Sequence, residues 1–79
     1  MERKRFIELC MQCALLPKGA GGVKKRVPEK LTVTFGGNKY YPAGYQLMFD
    51  DKAKPIHTAI LHDLRANAVV CADLDKVSE

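Results

Sequence analysis

The chain predicts an α+β domain, an N-terminal amphipathic helix packed on a curled four-stranded antiparallel β-meander, with an SH3-like small barrel as the more closed form of the same sheet. Three observations predict it. Apolar residues recur at helical spacing up to Pro17; Leu31, Val33 and Phe35 alternate with threonines ahead of a Gly-Gly turn; and two alternating runs flank Arg65-Ala66-Asn67. The division that follows is one domain over 1–79, with a helix over 2–16, a glycine-rich basic connection over 17–30 and the meander over 31–77.

In the helix, Phe6, Leu9, Cys10, Cys13 and Leu16 form a stripe broadened by Ile7, Met11 and Ala14. Pro17 and Gly19 end it, since proline lacks a backbone donor and glycine readily terminates helices. The connection PKGAGGVKKRVPEK has the composition of an exposed loop. Its GAGG lacks the GxxxxGK[ST] pattern and follows a helix, not a strand, which argues against a nucleotide-hydrolysing phosphate loop.

Gly36-Gly37-Asn38-Lys39 supplies a hairpin turn because glycine and asparagine accept positive φ. The returning strand, Tyr40 to Phe49, slips phase at Pro42-Ala43-Gly44, where a bulge would bend it. A polar connection, DDKAKP, leads to the last hairpin. There Ile56, Thr58, Ile60, His62 and Leu64 read as the inward row, and His57, Ala59, Leu61 and Asp63 as the outward one. A three-residue turn at Arg65-Ala66-Asn67 would set Leu64 against Ala68, His62 against Val70, Ile60 against Ala72 and Thr58 against Leu74, with His57 near Asp75. Residues 56–67 also satisfy a helical spacing, through Ile56, Ile60 and Leu64.

At 79 residues the chain buries only about 60–65% of its unfolded surface, so self-association would help it. Three cysteines without a disulfide-framework spacing, and no apolar run of the roughly 18 residues that span a membrane, imply a soluble chain in a reducing cytoplasm. The net charge of +4 is uneven. Residues 1–30 hold eight Lys/Arg against three acids; residues 31–79 hold five against six.

Catalytic and metal signatures are weak. Cys10 and Cys13 form a CxxC, but in mid-helix within the apolar stripe, where structural packing is the simpler role; no second CxxC or HxxxH accompanies it. His57 and His62 point to opposite faces of a strand and do not converge. A non-enzymatic chain without metal or cofactor is expected.

Two binding surfaces remain. Lys24, Lys25, Arg26 and Lys39, with Tyr41 as the exposed tyrosine of its hairpin and His57 at the surface, combine the cations and aromatic faces that bind nucleic acid or nucleotides. Met48, Leu61, Val69 and Cys71 form an apolar outer row suited to a protein partner or a second copy.

KYYPAGYQL and HTAILHDLRANAVV resemble short uncharacterised proteins of bacteriophages and mobile elements of Gram-positive bacteria, over residues 31–77. The resemblance carries no catalytic motif. It implies a small accessory protein in the cytoplasm of a bacterial host, binding nucleic acid or nucleotide, or blocking a host factor such as a defence protein.

Overall fold

A computed structural model describes residues 1–17, 27–63 and 65–79. Most of the basic connection, with Lys24, Lys25 and Arg26, and also Leu64, lies outside the described residues. Helix α1 spans Arg3–Ala14 and is followed by a 3-10 turn at Glu29–Leu31 and by strands β1 (Val33–Phe35), β2 (Asn38–Phe49), β3 (Pro55–Asp63) and β4 (Ala68–Asp73); a second 3-10 turn, Leu74–Lys76, follows β4. The strands pair antiparallel in the order β1-β2-β3-β4 and curl into a half-barrel.

Phe6, Leu9 and Cys13 are the buried face of α1, with Cys10 and Leu16 packed at its margins. The helix lies mainly across β2. Met11 and Ala14 of the expected stripe are exposed, so the covered strip is narrower than the sequence pattern. The helix ends two residues short of the expected Leu16 because Leu15 and Leu16 N–H groups turn to the carbonyls of Gln12 and Cys13, tightening the last turn ahead of Pro17.

Leu31 is buried but does not belong to β1. Pro28, with φ −55°, opens the 3-10 turn; the Leu31 N–H donates to the Pro28 carbonyl at 2.9 Å, and the Thr32 hydroxyl donates to the Glu29 carbonyl at 2.7 Å. The hairpin turn is Gly36-Gly37 alone, with φ of +58° and +81°, because Phe35 already pairs with Asn38. Both angles suit a primed two-residue turn. The expected irregularity in β2 is present: Pro42 pairs with Leu61 and Gly44 with Ile60, leaving Ala43 as the extra residue.

Residues 55–63 are strand, which decides between the two readings of that segment. Its register with β4 differs from the expected one by a single residue. Thr58 pairs with Asp73, Ala59 with Ala72, Ile60 with Cys71, Leu61 with Val70, His62 with Val69 and Asp63 with Ala68. The cause is Asp63, whose Oδ1 accepts the Arg65 N–H at 2.9 Å and the Ala66 N–H at 3.4 Å. This carboxylate starts the turn one residue early, and Asn67, at φ +48°, completes it in the left-handed conformation.

A slip of one residue exchanges the two faces. Ala59 and Leu61, expected outside, are fully buried, while Ile56, Ile60 and His62, expected inside, are half-buried. The core joins Phe6, Leu9 and Cys13 to Val33, Tyr41, Leu61, Leu74 and Val77. Beyond β4 the chain crosses back to β1, where Thr34 and Ser78 form an isolated antiparallel bridge. The Met1 amino group donates to the carbonyls of Leu74 and Val77 at 3.0 and 2.9 Å, tying the start of α1 to the second 3-10 turn.

Candidate functional site

The two expected surfaces fare differently once their residues are placed. Lys39 is exposed on β2 and paired with Glu29, whose carboxyl it holds below the ordinary carboxylate range. Tyr41, expected at the surface, is buried: only 4% of it is exposed, which leaves no ring face for stacking on a base. Burial, with Cys13 adding to it, raises its hydroxyl above the usual tyrosine range.

His57 is half-buried. Its Nδ1 shares a hydrogen bond with the Tyr45 hydroxyl, its ring stacks on that tyrosine at 5.8 Å, and it is not engaged with Asp75. It sits opposite Leu47, eight residues along β2 from Lys39. At about 3.3 Å per residue the two are roughly 25 Å apart along the strand. The described members of the proposed phosphate site therefore do not converge.

A Tyr–His pair that no sequence pattern indicated recurs at Tyr41, whose hydroxyl meets His62 Nδ1. Nε2 of that histidine lies 3.0 Å from the side-chain oxygen of Asn67. Since an amide oxygen only accepts, Nε2 carries the proton and Nδ1 receives the tyrosine hydroxyl. These contacts brace the β2–β3 ladder and the last hairpin.

The cysteines divide by depth. Cys13 is buried, with Sγ 3.9 Å from the Leu31 carbonyl; Cys10 is half-buried and its thiol is pushed up to about 11 by burial, with Cys13 adding to the effect; Cys71 is exposed on β4. Among the described residues no group of three or more His, Cys, Asp or Glu is arranged to hold a metal ion.

The apolar surface is better assembled. Val69 and Cys71 are exposed, Val69 to 63%, and Met48 to 47%. Leu61 does not belong with them, being fully buried. The register puts Ile60 in its place: Ile60 pairs with Cys71, His62 with Val69, and Met48 with Ile56, and directly opposed residues share a face. The row is half-buried on β3 and opens to solvent on β4. It continues along β2 to Met48; Leu47 and Phe49, also exposed, alternate with Met48 and lie on the other face.

The edge matters as much as the face. β4 ends the sheet, and among the described residues its ladder runs to β3 alone. Soluble proteins blunt such edges with lysine, proline, bulges or very short strands. Ala68-Val69-Val70-Cys71-Ala72-Asp73 has none of these devices: it is six residues long, regular in register, and carries its one charge at the end. On the opposite side β1 has only three residues, Ser78 bonds Thr34 there, and residues 41–49 of β2 extend past β1 with β3 as their strand partner among the described residues. Among the described residues no helix is long and apolar enough to cross a membrane.

No family model matches the chain, and no curated protein or solved structure matches it either.

Proposed function

We propose that the chain is a non-enzymatic protein-interaction module that takes an extended polypeptide strand along β4. The observation that carries this reading is the unprotected edge of β4 with Val69 and Cys71 exposed on it. An added strand gains its affinity from main-chain hydrogen bonds and its specificity from alternate side chains. Here the alternate positions are Val69 and Cys71 on one face and the half-buried Val70 on the other. Ile60, Ile56 and Met48 extend the apolar row behind them.

The reading is tested by selecting a random dodecapeptide display library against the full chain and against Val69→Lys, which adds a charged side chain of the kind that protects natural edges. Peptides enriched on the parent chain and lost on Val69→Lys support it. With the chain dilute enough to be monomeric, no enrichment, or enrichment indifferent to the substitution, overturns it. A salt-sensitive gel shift of short DNA or RNA, abolished by replacing Lys24, Lys25 and Arg26 with Ala and untouched by Val69→Lys, would overturn it in favour of a nucleic-acid ligand.

A further inference from the structure

We infer that the strand received by β4 is the β4 of a second copy of this chain, paired antiparallel about a two-fold axis at Val70. The inference rests on the preceding reading that β4 is the contact strand. It names the occupant and its register.

The register follows from face, charge and ladder length. A two-fold axis perpendicular to a continuous sheet keeps each face on its own side, so only residues of the same row can oppose one another. Within Ala68–Asp73, two such registers give a five-residue ladder. An axis at Cys71 sets Asp73 against Val69 of the second copy, twice, placing a carboxylate on an apolar neighbour. An axis at Val70 opposes Val70 to Val70, Val69 to Cys71 and Ala68 to Ala72, so the whole ladder is apolar. Asp73 then falls beyond it, facing Asn67 of the second copy.

The flanks agree with that choice. Arg65 stands before β4, and Asp73 and Asp75 stand at and beyond its end, all exposed. Antiparallel pairing about Val70 brings Arg65 of one copy opposite Asp75 of the other, and it does so twice, with Asp63 and Lys76 on the same flanks. The exposed row becomes Val69, Cys71, Cys71 and Val69 running across the junction.

The contact is isologous: it uses β4 of both copies, so the pair closes on itself. The product is an eight-stranded sheet of two copies.

Sedimentation velocity of the full chain over a concentration series up to roughly 1 mM reads the association, a range that captures weak pairing. A monomer–dimer equilibrium is expected. Arg65→Glu and Asp75→Arg, both at exposed side chains, should each weaken it about five- to tenfold, and the double variant should restore it. Val69→Cys sets a thiol opposite Cys71 of the second copy, so mild oxidation should yield a dimer whose cross-link maps to positions 69 and 71. A monomer at every concentration overturns the inference, as does a dimer indifferent to both charge reversals and to that cross-link. If the monomeric chain still selects peptides that Val69→Lys loses, the second copy is refuted and the strand-binding reading stands; if it selects none, both fall.

Discussion

Thr34 and Ser78 exchange both of their backbone hydrogen bonds, the Thr34 N–H donating to the Ser78 carbonyl at 2.6 Å and the Ser78 N–H to the Thr34 carbonyl at 3.0 Å. This single bridge joins the last residues to the first strand, across the whole meander. It occupies the outer side of β1. Val77, 2% exposed, anchors the segment that makes it.

Val77→Ala should therefore do two things. Loss of two buried methyls should lower stability by about 1–3 kcal/mol, read by chemical denaturation. The Thr34 and Ser78 amides should also exchange with solvent faster than the β2–β3 ladder does. Uniform acceleration of all amides would show that the bridge has no opening of its own.

Tyr41→Phe removes the hydroxyl donated to His62 and leaves a part-buried ring nitrogen unpaired, at a cost of about 1–2 kcal/mol. Tyr45→Phe, made at a less buried ring, should cost less. Nitrogen-15 spectra of the parent chain should show His62 with its proton on Nε2, and Tyr41→Phe should perturb that signature while leaving His57 unchanged.

Alkaline pH should weaken the fold. Cys10 is held up to about 11 by burial, and the Tyr41 hydroxyl is raised by the same cause. Between the ordinary thiol value of 9.0 and about 11 the unfolded chain releases protons that the folded chain keeps, so stability falls as pH rises through that window. Denaturant midpoints from pH 8 to 11 should decline, and Cys10→Ala should flatten part of the decline. In alkylation at pH 8, exposed Cys71 should react before Cys10, and Cys13 last.

Gly36 and Gly37 both hold positive φ, and an added Cβ at either meets nothing within 4 Å. The cost of replacing them is thus backbone strain alone. Gly37→Val should destabilise by roughly 1–2 kcal/mol, whereas Gly36→Asn should be nearly neutral because asparagine tolerates this conformation. Equal losses for the two variants would mean that side-chain contacts, not φ, set the requirement.

Much of this fold is legible in the residues. Spacing of Phe6, Leu9 and Cys13 marks the helix face; Gly36-Gly37 marks the first turn; Pro42-Ala43-Gly44 marks the bulge; and Asn67 marks the left-handed end of the last loop. Each depends on the conformational preference of one or two adjacent residues, which no distant contact has to supply. The apolar surface is partly legible too, since Met48, Val69 and Cys71 are exposed as their alternation indicates.

What the residues could not decide was which of two rows faces inward on β3. Both rows are apolar enough to be buried, and the choice turns on whether the Asp63 carboxylate takes the Arg65 and Ala66 amides and begins the turn early. That one local contact moves Leu61 into the core, puts Ile60 in the less buried row beside Cys71, and pairs His62 with Val69. The burial of Tyr41 likewise depends on Cys13, far away in sequence, being brought against it by the packing of α1. Local chemistry determined the elements, their order and, through Asp63, the register of the last hairpin; the side of the sheet that α1 covers, the burial of Tyr41 and the open edge at β4 were decided only by tertiary contacts, because a period-two pattern looks the same on either side of a strand until something packs against one of them.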